Sequence, residues 1–340
     1  MATGSRPTLL VGSVALESAR DVLSLAGEIL GDSLSSVPDG ETGERLQWYC
    51  WQERVMERAP FLKRMGLEEE FGLHRFEVSG DLNGASFGNL GYADAAVASY
   101  ETLRDLRARG QIRSNIRFQV SLPPPVAPLS GMIDPDDYLK VEPLYEQAMR
   151  AEIEKICAAV PAGDLAIQWD LAQEVGVLEG LPMLDGKRIF TDPMNDMLTR
   201  VVRLASWVPE DVALGFHLCY GDYKHKHWME PKDTGLMVTF ANAIFDVVCR
   251  QVDWIHMPVP RNRDDDAYFE PLTNLKKPEG TQLYLGLVHY TDGLKGGKRR
   301  LKTAERHVKG FGVATECGLG RRPPETIPDV MKLMAAVAAA

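Results

Sequence analysis

The sequence predicts a single (β/α)8 barrel, and three observations carry that prediction. Eight short apolar runs recur along the 340 residues, with segments of helical spacing between them. The runs are continuous, not alternating, as expected of parallel strands covered on both faces. Polar and titratable residues stand at the ends of runs spread over the whole chain, and a barrel gathers all such ends on one face. A doubly wound open sheet is the other architecture built from these units, and it gives no reason for that gathering. No domain boundary, low-complexity linker or internal repeat interrupts the chain, so residues 1–340 are taken as one catalytic domain.

The elements follow in order. Thr8–Val14 is the first strand, closed by Gly12-Ser13, and Leu16–Leu30 has helical spacing. Leu34–Glu41 is the second strand and runs into a polar loop, Pro38–Arg45. Leu46–Met65, rich in aromatic and charged residues, is expected to be helical up to Pro60. Residues 71–91 break the rhythm with alternation at His74–Val78 and many turn residues, which predicts an inserted hairpin or lid over about 66–92. Tyr92–Arg109 is helical, Ile116–Leu122 is a strand stopped by three prolines, and Leu129–Pro135 reads as loop. Asp136–Val160 is a long helix with a disturbance expected near Pro143. Leu165–Leu171 is the fourth strand, followed by a glycine-rich loop and a helix over Pro193–Trp207. Val212–Cys219 is the fifth strand, Thr234–Val252 a helix, Trp254–Pro260 the sixth strand and Leu283–His289 the seventh. Lys298–Gly310 is helical, Gly312–Cys317 is the eighth strand, and Ile327–Val337 is the closing helix.

Composition narrows the function classes. A net charge of -10 argues against a nucleic-acid partner, which needs a basic face. The basic cluster Lys295–Lys302 is local and reads as a solvated loop and helix start. Five scattered cysteines are not a disulfide framework and fit a reducing compartment. No apolar run is long enough to span a membrane, and the first residues lack the pattern of a secretion signal. The expectation is a cytoplasmic protein with a small-molecule substrate and with neither a nucleic-acid nor a membrane partner.

The stretch Leu214–Gly221 carries the most chemistry. His217 and Cys219 are two apart on a strand, so they point the same way and lie within reach of one ion. Cys317 ends the last strand and supplies a third soft ligand. Three such ligands with one open position describe a catalytic Zn2+ site. The other reading is a core histidine and two buried cysteines, because free cysteine is among the most buried residue types. Glu41 and Asp170 at strand ends suit an ammonium group or a proton transfer, while a turn or a cap would explain them blandly. His289 is a candidate acid or base because imidazole titrates near neutral pH. His225 and His227, beside lysines, form either an anion-binding loop or a solvated one. Trp48, Tyr49, Trp51 and Trp169 are candidates for an apolar pocket wall, or for helix packing.

Taken together, these stretches resemble the C-terminal barrel of cobalamin-independent methionine synthase, within the superfamily that includes uroporphyrinogen decarboxylase. The resemblance covers most of the chain as spaced motifs: Gly12-Ser13, Asp39-Gly40-Glu41 with Glu44-Arg45, Gln168-Trp-Asp170 with Glu179-Gly-Leu-Pro182, His217-Leu-Cys219-Tyr220, and Glu316-Cys317-Gly318-Leu319. It implies His217, Cys219 and Cys317 as zinc ligands. It implies Ser13, Glu41 and Asp170 as contacts to the polar end of a thiol amino-acid-like substrate. The sequence departs from the family where its zinc glutamate belongs, near Met257-Pro258, and His256 is the nearest donor there. The family's folate-binding segment has no counterpart. The resulting candidates are Asp170, His289 and Glu41 for catalysis and Ser13, Glu41, Asp170, Trp169, Tyr220 and His256 for substrate contact. The expected activity is transfer of a methyl or alkyl group to or from a zinc-activated thiol. A zinc-dependent hydrolase or lyase, and a metal-free decarboxylase or ligand-binding barrel, are the rival readings.

Overall fold

The computed structural model describes residues 5–68, 72–182, 184–221 and 227–340. Eight strands form one all-parallel sheet with the order β1-β10-β9-β8-β7-β6-β5-β2. In chain order, β1 is Thr8–Leu9, β2 Ser36–Pro38, β5 Arg117–Leu122, β6 Leu165–Leu171, β7 Ala213–Leu218, β8 Trp254–Pro258, β9 Gln282–Val288 and β10 Gly312–Thr315. The two end strands come back together: Thr8 bridges in parallel to Leu34, just before β2. The sheet is therefore a nearly closed barrel, and helices lie between its strands as the apolar runs predict.

Between β2 and β5, strands β3 (Leu62–Glu68) and β4 (Leu73–Val78) make an antiparallel hairpin. The hairpin begins at Leu62, four residues before the expected insertion and just past Pro60, where the segment expected to be helical ends. Of that segment only α2, Glu53–Arg58, is α-helical, preceded by two single turns of 3-10 helix. Trp48 takes a φ of 54°, which breaks the segment before a long helix can form. Phe76 is buried and bridges to Ile133, so the hairpin packs against neighbouring structure.

The expected loop at 129–135 is instead mostly α4, Val126–Met132. Pro128 sits in its first turn, where a proline is tolerated, and Val126, Leu129 and Met132 are buried. The long helix α5, Tyr138–Ala159, runs through Pro143 as one element. The helix α10, Gly293–His307, starts before Lys298, so the basic cluster lies within it. The remaining helices between strands follow the predicted order: α1 (Ala19–Leu30), α3 (Tyr92–Ala108), α7 (Pro193–Ser206), α8 (Gly235–Val247) and α11 (Ile327–Ala338), with the short α6 (Ala172–Leu178) and α9 (Asp266–Phe269) added. None of the described helices is long and apolar enough to cross a membrane.

The barrel interior is filled in layers. Leu9, Ala166, Ala213, Trp254, Tyr284 and Ala314 form a small apolar cluster of their own. Above it lies a polar layer: Gln168 accepts from Trp254 Nε1 at 3.1 Å, and Gln119 donates to the carbonyls of Leu10 and Val11. Small residues make room for the Trp254 ring. A Cβ built on Gly215 would lie 1.8 Å from that ring. Gly215→Ala is thus expected to cost at least the roughly 1–3 kcal/mol typical of overpacking. A denaturant midpoint equal to the wild-type value would refute this account of the barrel floor.

Candidate metal centre and active site

β7 delivers His217 near its end and Cys219 one step beyond, on one face, as a period of two requires. Cys317 arrives from the turn after β10. The nearest ligand atoms of the three residues all lie within 4.8 Å of one another. Cys219 Sγ is 3.8 Å from Cys317 Sγ, which is in turn 3.8 Å from His217 Nε2. His217 and Cys219 are buried, and Cys317 is half-buried. Burial, with the neighbouring His256 ring, holds the His217 imidazole well below its ordinary pKa, so the ring is neutral as a metal ligand must be.

The set fits zinc: two thiols and one imidazole nitrogen converge, and the other imidazole nitrogen, Nδ1, is engaged 2.6 Å from His256 Nδ1. His256 does not join the converging ligand atoms. It stands behind His217, fully buried, with its second nitrogen 3.1 Å from the Thr315 carbonyl. Burial lowers its pKa to about 3.

These ligands line a cavity of about 260 Å3, together with Ser13, Glu41, Trp48 and Asp170. Glu41 is presented by a tight loop. Its own N–H donates to Asp39 Oδ1 at 2.8 Å, and Asp39 is anchored by Arg45 Nη2 and Ser99 Oγ, each at 2.7 Å. Asp39 is thus the turn residue, and Glu41, at φ 48°, is the group turned inward. Gly12 allows the seat: a Cβ there would lie 2.5 Å from Glu41 Oε1. Asp170, at the end of β6, accepts from Gln168 Nε2 at 2.8 Å. Burial and then the Asp170 charge push the Glu41 carboxyl well above its ordinary range. Burial pushes Asp170 to about 8, against the Gln168 hydrogen bond. The pair therefore retains a proton at neutral pH, or is neutralised by a bound cation.

A second cavity, about 550 Å3, meets the first at Cys219, Gly221, Cys317 and Gly318. His289 lies here, and not in the first cavity. Its Nε2 donates to the Val259 carbonyl at 2.7 Å, and its Nδ1 is 3.6 Å from Glu316 Oε2. Burial lowers its pKa, with Glu316 acting in the opposite direction. His227 Nε2 is 3.0 Å from Glu316 Oε1. Burial opposes charge on His227, but Glu316 outweighs it and raises the pKa to about 9. His225 lies outside the described residues.

Three expected substrate contacts stand elsewhere: His256, fully buried behind His217, lines neither cavity, and the same holds for Trp169 and Tyr220. Trp169 is fully buried against Trp207, ring centroids 6.1 Å apart. Along β6 the inward residues are Gln168 and Asp170, so Trp169 necessarily points to the helices. Tyr220 is buried, its ring centroid 6.0 Å from that of His227. Trp48 and Tyr49 do line the first cavity, whereas Trp51 packs edge-on against Tyr92. Trp228, over the glycine at 221, and Arg321 complete the wall and were not anticipated. Among the described residues, none from 62 to 68 or from 72 to 78 lines either cavity.

No protein-family model matches the chain, and no curated protein matches it significantly. Solved structures do. A candidate vitamin-B12-independent methionine synthase from Listeria monocytogenes superposes with a TM-score of 0.60 at 15% identity, covering 98% of each chain. A B12-independent methionine synthase from Shewanella sp. W3-18-1, solved in complex with selenomethionine, gives 0.60 at 17% identity, with 99% of this chain and 94% of that one covered. A methyltransferase from Methanosarcina mazei gives 0.54 at 12% identity, with 99% and 94% covered. Across nearly its whole length the chain has the barrel fold of these methionine synthase-like and methyltransferase proteins.

Proposed function

We propose that the chain transfers a methyl or alkyl group to or from a thiol, using zinc held by His217, Cys219 and Cys317. The observation that carries this reading is the position of Cys219 and Cys317, which line both cavities at once. A transfer between two substrates needs such a shared wall, with one partner on each side. Bound zinc would favour the thiolate of an incoming thiol, making it a nucleophile at neutral pH.

The chain's own residues supply the rest. Glu41 and Asp170 offer a buried anionic seat for a substrate ammonium, with Ser13 on the wall of the same cavity. Binding a cation there releases the proton the pair otherwise retains. On the other side, His227 carries a proton at neutral pH against Glu316, and His289 presents Nδ1 to the same carboxylate. These groups can deliver a proton to a leaving group. The likeness to methionine synthases and a methyltransferase supports transfer chemistry on this fold.

The rival hydrolase or lyase reading draws on one observation, the Asp170 carboxyl near pKa 8, which could act as a general acid. Zinc-edge absorption of the purified protein with small thiols separates the two. A new sulfur ligand appearing with an aminothiol, and more weakly with the thiol lacking the amine, is the expected result. No added sulfur across a series of thiols would overturn thiol transfer and leave the hydrolase or lyase reading.

A further inference from the structure

We infer that His256 and the Thr315 carbonyl form a hydrogen-bond relay that fixes His217 in the tautomer a metal requires, so that His256 is a positioning residue and not a ligand. The inference rests on the metal-centre reading above, and its evidence is the order of the contacts. His256 Nε2 lies 3.1 Å from the Thr315 carbonyl oxygen. A carbonyl only accepts, so Nε2 carries a hydrogen. His256 Nδ1 and His217 Nδ1 are 2.6 Å apart, a separation that accommodates one proton between them. With Nε2 of His256 already the donor, its Nδ1 is the acceptor, and His217 Nδ1 donates. His217 Nε2 is then a bare lone pair, and it is the nitrogen that faces the sulfurs, 3.8 Å from Cys317 Sγ.

Three further features are built around this relay. The register between β9 and β10 shifts between Val313 and Thr315, an irregularity that re-aims the backbone at that point. Gly286 on β9 keeps the space clear: a Cβ there would lie 2.9 Å from the Thr315 oxygen and 2.7 Å from Glu316 Cα. Thr315 also reaches the other arm of the centre, because its hydroxyl donates to the Cys317 carbonyl at 2.8 Å. One residue therefore steadies His217 through His256 and Cys317 directly. Partners of ligating histidines commonly orient the ring in this way, and losing one typically costs about 10–100-fold in metal affinity.

The test uses the full chain and zinc or cobalt(II) alone. In the metal-free wild type, nitrogen-15 NMR at mildly alkaline pH is expected to show His217 protonated on Nδ1 and His256 on Nε2. Zinc competition against a chromophoric chelator should then give His256→Phe, which keeps the ring volume without an acceptor, an affinity about 10–100-fold below wild type. His256→Asn, whose side-chain oxygen can replace Nδ1 as acceptor, should recover part of that loss. The cobalt(II) spectrum of the Phe variant should shift, a change that simple loss of stability does not produce. Equal affinity and an unchanged cobalt spectrum in His256→Phe would overturn the relay. A wild type that binds no zinc would overturn the metal-centre reading instead, and the relay would then stand or fall on the tautomers. His217 protonated on Nε2 overturns it whether or not any variant folds.

Discussion

His217→Ala is expected to take the protein from about one zinc per chain to almost none. Apparent binding free energies of four-ligand zinc sites run about 10–16 kcal/mol, so one ligand of such a set corresponds to roughly 10²–10³-fold in affinity. Among the described residues, the two remaining thiols, 3.8 Å apart, have no third ligand atom grouped with them to complete the set. The fold should survive, because the ring sits at a strand end above an intact barrel floor. A second cost is expected even without metal: His256 loses the donor to its Nδ1 and becomes a buried unsatisfied group, worth about 1–3 kcal/mol. Cys249→Ser, at an exposed cysteine remote from the centre, is the control and should change neither quantity. Elemental analysis of protein purified without added metal reads the first effect, and denaturant melts the second. Zinc near zero in the wild type, unchanged by the substitution, would remove both zinc chemistries and favour a metal-free decarboxylase or ligand-binding barrel.

Much of this arrangement was legible in the sequence, and what was not has physical causes. The barrel strands were readable because short continuous apolar runs that alternate with helical segments fit parallel strands covered on both faces. His217 and Cys219 were readable because a strand has a period of two. The same rule should have turned Trp169 away from the site, since Asp170 faces in and its neighbour cannot. Local patterns failed where tertiary contacts override them. The segment 46–60 has helical composition, yet its turns are bent to place Trp48 and Tyr49 on the cavity wall. The helix α4 was hidden by Pro128 and Gly131, both of which its position tolerates. His256 was found as a donor near the missing glutamate, but its role depends on a carbonyl 59 residues further along the chain, which no spacing reveals. Glu316 was visible beside Cys317, but its pairing with His227 and His289 is a product of the fold.

Asp170→Asn is expected to make the protein more stable at alkaline pH and at the same time worse at holding a cationic substrate. The sign follows from the pKa. In the unfolded chain Asp170 titrates at an ordinary carboxyl value near 3.8, and in the folded protein at about 8. A group whose folded pKa is raised contributes its full stability below the unfolded value and loses it as pH rises through the folded one. The wild type should therefore weaken between about pH 4 and pH 8, in the window set by that shift. At about 1.4 kcal/mol per pKa unit, the shift corresponds to an upper bound of about 6 kcal/mol. Part of it belongs to Glu41, because two carboxyls this strongly coupled titrate as a pair. Asparagine has no charge to bury and can keep the Gln168 hydrogen bond through its side-chain oxygen. Denaturant melts at acid and alkaline pH should show a smaller loss for Asp170→Asn, by a few kcal/mol, and Glu41→Gln should behave alike. Binding moves the other way. Removing one carboxylate from a buried seat for an ammonium typically costs about 2–5 kcal/mol, so an aminothiol should bind on the order of 10²-fold more weakly. The thiol without the amine should be nearly unaffected. Parallel pH–stability curves for the wild type and both variants would show that Glu41 and Asp170 are not the buried titrating pair. An equal loss for both thiols would show that the pair shapes the cavity without recognising the ammonium.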